Sequence, residues 1–125
     1  MARTILIVDD EASILESLQE ILEHEGYGVV VASNGKQALA EVERMRPSLV
    51  LTDLMMPQLH GLQLLEALRA RPELDGLPVV LMSAVHVPPA RAMELGTAFL
   101  GKPFEIDRLL EVIRQALAPQ AERTG

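Results

Sequence analysis

The sequence predicts an open, doubly wound α/β domain, a parallel five-stranded sheet of order 2-1-3-4-5 with helices on both faces. Three observations predict it. Short β-rich apolar segments recur at residues 5–8, 29–31, 49–51, 79–81 and, more weakly, 98–100, with helical patterns between them. Each segment is continuously apolar rather than alternating, as expected of strands covered on both faces. The connections are short, which favours β-α units packed side by side. At 125 residues and 13.7 kDa the chain fits one domain, and its 49% hydrophobic content suffices for one core.

The first helix carries Ile14, Leu15, Leu18, Ile21 and Leu22 at helical spacing. Gly26 stands where a left-handed cap is wanted, so the helix should end near Glu25. The second should span 36–45, bury Ala38, Leu39 and Val42, and stop before Pro47. The third should start near Gly61, carry Leu62, Leu65 and Leu68, and stop at Arg71-Pro72. Pro88-Pro89 leave only about 90–95 for a shortened fourth helix. The last helix sets Ile106, Leu109, Leu110, Ile113 and Leu117 against a face rich in Glu105, Asp107, Arg108, Glu111 and Arg114. Residues 1–118 are thus expected to form the domain and 119–125 a flexible tail or linker.

Composition excludes several function classes. With no cysteine there is no disulfide framework, thiolate metal site or cysteine nucleophile. A net charge of −7 repels nucleic-acid backbones and anionic membranes, and Tyr27, Phe99 and Phe104 are too few to form a base-stacking surface. The apolar runs fall far short of the roughly 20 residues that a membrane helix needs. The N-terminus has no signal-peptide layout, and a cytoplasmic protein without membrane contact is expected.

The chemistry is expected at the carboxyl ends of the strands, where open α/β sheets place their ligands. Asp9 and Asp10 follow the first strand, Asp53 the third, Ser83 the fourth and Lys102 the fifth. In the order 2-1-3-4-5 the contributing strands are neighbours about 4.8 Å apart, so these side chains share one rim. Crowded carboxylates repel unless a cation neutralises them, and carboxylates with water suit Mg²⁺, with Mn²⁺ an acceptable substitute. His24, His60 and His86 are scattered and suggest no transition-metal site. A carboxylate beside such an ion can attack a phosphoryl donor while Lys102 and Ser83 bind the transferring oxygens. Each residue alone has an ordinary explanation: the aspartates or Ser83 as helix caps, Lys102 as a surface cation. Capping does not explain two adjacent acids, a third on the neighbouring strand and a lysine from another strand meeting at one rim.

The motif Ile-Leu-Ile-Val-Asp9-Asp10-Glu11, the loop Asp53-Leu-Met-Met-Pro57-Gln-Leu-His-Gly61 and the tripeptide Lys102-Pro103-Phe104 occur in that order. Together, over residues 3 to 118, they resemble receiver domains of bacterial two-component response regulators, in the single-domain form of chemotaxis regulators. The resemblance implies a flavodoxin-like (βα)5 fold and a phosphoacceptor role for Asp53. It implies Mg²⁺ held directly by Asp10 and Asp53, through water by Asp9, and by the backbone carbonyl of Met55. Ser83 and Lys102 would bind phosphoryl oxygens, Phe99 would turn inward on activation, and the Lys102-Pro103 bond would be cis. The implied partners are a cognate histidine kinase or phosphotransfer protein, and a downstream protein on the face of the fourth helix, fifth strand and last helix. The chain would act as a monomer or a phosphorylation-dependent dimer and would catalyse only its own phosphorylation and dephosphorylation.

Three departures from the family pattern stand out. Ser83 replaces the commoner threonine and keeps the hydroxyl. The short stretch from His86 to Ala90 and the tight spacing from Gly96 to Lys102 reshape the expected output face. Met55 and Val85 are apolar where many relatives are polar, which predicts a long-lived phosphoryl group because the hydrolytic water loses partners. Among rival functions, a phosphohydrolase lacks a second acid at Met55, a flavin phosphate would be repelled by Asp9-Asp10-Glu11, and no G-x-G-x-x-G marks a nicotinamide site. A receiver-fold interaction module working without phosphorylation, and an excised domain of a hybrid kinase or larger regulator, remain as alternatives.

Overall fold

A computed structural model describes residues 3–54, 61–74, 76–84, 90, 94–95 and 97–118. The elements are β1 (Thr4–Val8), α1 (Ala12–His24), β2 (Gly28–Ala32), α2 (Gly35–Met45), β3 (Leu49–Asp53), α3 (Gly61–Arg69), a 3₁₀ turn (Pro72–Leu74), β4 (Val79–Ser83), β5 (Ala98–Gly101) and α4 (Ile106–Leu117). All strand pairs are parallel and the sheet order is β2-β1-β3-β4-β5.

The strand side chains sort by the two-residue period of a pleated strand. Leu6, Val8, Val50, Val79 and Leu81 pack with Ala38 and Val42 of α2 and Leu64, Leu65 and Leu68 of α3. Ile5, Ile7, Leu49, Leu51, Val80 and Met82 pack on the other face with Leu18 and Leu22 of α1 and Leu109, Leu110, Val112 and Ile113 of α4. Two apolar layers therefore clamp the sheet, which explains why its strands read as continuous hydrophobic runs.

Local signals set the boundaries. Gly26 takes φ +95 after α1. Asn34 caps α2 by accepting from the Gln37 N–H at 2.8 Å, and Gln37 Oε1 accepts from the Ser33 N–H at 2.6 Å. Arg46, in the left-handed region at φ 52, ends α2 before Pro47 is reached. Two details of the expected stripes change. Ile106 is 53% exposed while Val112 is buried: Ile106 is the first residue of α4, and Val112 flanks Leu109 on the side away from Ile113, widening the buried face. Leu64, absent from the expected stripe of α3, is fully buried. Of the fourth helix expected at 90–95, residues 90 and 94 are helical and 91–93 lie outside the described residues, as do 119–125.

Candidate metal centre at the strand ends

Three strands deliver the acidic rim because their ladders continue one residue past the apolar run. The Asp9 N–H donates to Ala32 O at 3.2 Å, the Leu54 N–H to Met82 O at 2.8 Å and the Lys102 N–H to Ser83 O at 2.7 Å. β3 and β4 end on Asp53 and Ser83 themselves. The polar residues are thus held by sheet hydrogen bonds rather than by mobile loops, which fixes their separation.

Asp9, Asp10 and Asp53 bring carboxylate oxygens within 4.8 Å of one another. Asp9 is completely buried, Asp53 nearly so, and Asp10 is exposed. α1 starts from Glu11 without a side-chain cap, so Asp9 does not cap it; Asp9 Oδ1 accepts from the Glu11 N–H at 3.0 Å in a local turn just ahead of the helix. Its other oxygen faces Lys102 Nζ at 3.4 Å, and the same ammonium lies 3.3 Å from Asp53 Oδ1. One cation from β5 therefore bridges acids from β1 and β3. Ser83 is buried on the same rim, and the cleft of about 410 Å³ is lined by Asp10, Glu11, Ile14, Asp53, Ser83, Ala84 and Lys102.

The electrostatics follow from this crowding. Burial pushes the Asp53 carboxyl above the usual carboxylate range; Lys102 opposes the rise and Asp9 and Asp10 add to it. Burial alone would lower the Lys102 ammonium, but Asp53 and Asp9 outweigh it and hold the group above its ordinary value. An all-oxygen donor set with excess negative charge, reachable from solvent through Asp10, fits a hard divalent cation.

Phe99 lies on β5 opposite Leu81, half-buried, and packs on the α2 and α3 side of the sheet. The Lys102-Pro103 bond is cis. Met55 and Val85 lie outside the described residues. Sequence reasoning gave Gly61 only as a motif residue and helix start. A Cβ there would collide with the Asp53 carbonyl oxygen and stand 2.8 Å from Leu54 Cα, so glycine lets α3 begin against the backbone of the acidic strand. The signal available was a glycine opening a helix just after the acidic loop. Thr52 was also missed: its buried hydroxyl donates to Asp53 O at 3.0 Å.

Comparison with known proteins supplies the family. Residues 5–114 match the model of the response regulator receiver domain. Response regulator Rre1 of Synechocystis sp. is 39% identical over 121 residues, which cover 94% of this chain and 52% of Rre1. The DNA-binding response regulator MtrA of Mycobacterium tuberculosis is 38% identical over 120 residues, covering 94% of this chain and 51% of MtrA. The chain thus spans about half the length of these curated relatives. Among solved structures, the chemotaxis response regulator CheY4 of Vibrio cholerae superimposes with TM-score 0.88 at 27% identity, covering 94% of this chain and all of CheY4. A putative response regulator from Chloroflexus aurantiacus does so with TM-score 0.89 at 30% identity, covering 95% and 100%. Such domains are signalling modules rather than conventional enzymes. With a receiver sequence pattern over most of its length, a CheY-like fold and acids and lysine gathered at the strand ends, the chain belongs to the receiver domain family of two-component response regulators.

Proposed function

We propose that Asp53 is the phosphoacceptor of this receiver domain and that its phosphorylation changes which partner the chain binds. The observation that carries this reading is the Lys102 ammonium bridging Asp53 and Asp9 beside Asp10. Asp10 and Asp53 would hold Mg²⁺ directly, Mn²⁺ being an acceptable substitute, and the family resemblance would add the Met55 backbone carbonyl as a further ligand. Asp9 acts through water, in keeping with a carboxylate already engaged by Glu11 N–H and Lys102. When bound there, the ion would supply positive charge that neutralises the phosphoryl oxygens.

A carboxylate oxygen of Asp53 attacks phosphorus as the bond to the donor breaks, and the donor departs with that bond's electron pair and takes up a proton. With a histidine kinase or phosphotransfer protein as donor, the bond broken is phosphorus to imidazole nitrogen. Lys102 and Ser83 bind the transferred oxygens, and Ser83 moving inward leaves space for Phe99. The readout passes to another protein through the face of the segment around residues 94–95, β5 and α4, by a monomer or a phosphorylation-dependent dimer. Met55 and Val85, apolar by sequence, lengthen the phosphoryl lifetime. The domain spans 1–118 with 119–125 as tail or linker, and it works in the cytoplasm; among the described residues no helix is long and apolar enough to cross a membrane.

Incubation with a small acyl-phosphate donor, followed by intact mass, tests the reading. One Mg²⁺-dependent phosphoryl adduct, absent from Asp53→Asn, is expected. No adduct, together with no binding of the phosphoryl mimic beryllofluoride, would favour an interaction module that works without phosphorylation.

A further inference from the structure

Arg69, the last residue of α3, joins three separate parts of the chain. Its Nε donates to Leu95 O at 3.0 Å, and its Nη1 donates to Leu74 O at 3.3 Å. Leu74 closes the 3₁₀ turn, and Leu95 precedes β5. Both leucine side chains pack against the same core cluster as Phe99. Two residues beyond Leu95, the Thr97 hydroxyl donates to Val79 O. The chain that leads to Phe99 is therefore pinned from outside its own segment, to α3 by Arg69 and to β4 by Thr97. A planar guanidinium suits this task, because Nε and Nη1 reach the two carbonyls from separate atoms held in one rigid plane, whereas an ammonium offers all its donors from a single atom.

We propose that Arg69 is a latch, a positioning residue that favours the resting arrangement of the approach to β5, so that losing it biases Phe99 toward the activated packing. The proposal rests on the reading that Phe99 moves when Asp53 is phosphorylated. An interaction made in one of two states raises the population of that state by its own free energy. One charge-assisted hydrogen bond corresponds to roughly tenfold in that equilibrium.

The test compares the native chain with Arg69→Met, which keeps the aliphatic stem, and Arg69→Lys, which keeps the charge without the fork. In amide hydrogen exchange without donor, peptides over 94–101 should lose roughly tenfold protection in Arg69→Met while those over β1 and β3 are unchanged, with Arg69→Lys between. With Mg²⁺, Arg69→Met should bind beryllofluoride more tightly, by up to roughly tenfold. General structural damage would weaken that binding instead. Unchanged exchange over 94–101, or unchanged or weaker beryllofluoride binding by a variant that otherwise folds, overturns the latch. Should the native chain itself neither bind beryllofluoride nor form a phosphoryl adduct, the phosphoacceptor reading falls, and the exchange comparison alone decides whether Arg69 pins the approach to β5.

Discussion

Replacing Gly61 by alanine tests how tightly α3 is set against the acidic strand. The added Cβ would stand 2.8 Å from Leu54 Cα, more than half an ångström inside ordinary contact, and closer still to Asp53 O. Both obstacles are backbone of residues held by the sheet, since Leu54 N–H donates to Met82 O at 2.8 Å and Gly61 N–H donates back to Leu54 O at 3.0 Å. No flexible side chain can give way, so the cost falls at the upper end of the range for overpacking, about 3 kcal/mol. Alanine's better helix propensity returns at most about 1 kcal/mol. The net loss of about 2 kcal/mol lowers Tm by roughly 6–10 °C for a domain of this size. Thermal unfolding followed by circular dichroism measures it, and Mg²⁺ titration should show weaker binding because the Asp53 backbone is displaced. An unchanged or higher Tm would refute the close-approach argument.

Other consequences follow from the charges on the rim. Burial raises the Asp53 carboxyl, so the folded state holds its proton more tightly than the unfolded state, and stability falls as pH rises through the folded value. Without metal, Asp53→Asn should therefore be more stable than the native chain at neutral pH, and denaturant titrations at decreasing pH should show the gap closing. Lys102→Ala removes the ammonium shared by Asp53 and Asp9; initial rates of adduct formation at saturating Mg²⁺ should drop by roughly 10²-fold. A Met55→Asn/Val85→Glu variant should lose its phosphoryl group faster than the native chain, measured as decay of the adduct mass after donor removal.

Much of this arrangement was legible in the sequence for a simple physical reason. Strands buried on both faces carry few polar residues along their length, Thr52 being tolerated because its hydroxyl donates to Asp53 O, so Asp9, Asp53, Ser83 and Lys102 stand out where the apolar runs stop. Their neighbourhood then follows from the order β2-β1-β3-β4-β5. What escaped depended on contacts between distant residues. The burial of Val112 and exposure of Ile106 depend on how α4 sits on the sheet, which helical periodicity leaves free by a residue or two. The reach of Arg69 to Leu95 O, and the closeness of Gly61 to Asp53, exist only once α3 is docked. The left-handed turn at Arg46 carried no glycine or asparagine to announce it.

The central claim is that Asp53 is the acceptor, and its most direct measurement is chemical trapping of the modified side chain. After reaction with an acyl-phosphate donor and Mg²⁺, borohydride reduces an aspartyl phosphate to the alcohol, and peptide mass mapping locates the residue converted to homoserine. Homoserine is expected at position 53 alone, dependent on Mg²⁺. Homoserine at position 9 or 10 instead, or an adduct that maps to no aspartate, would contradict it.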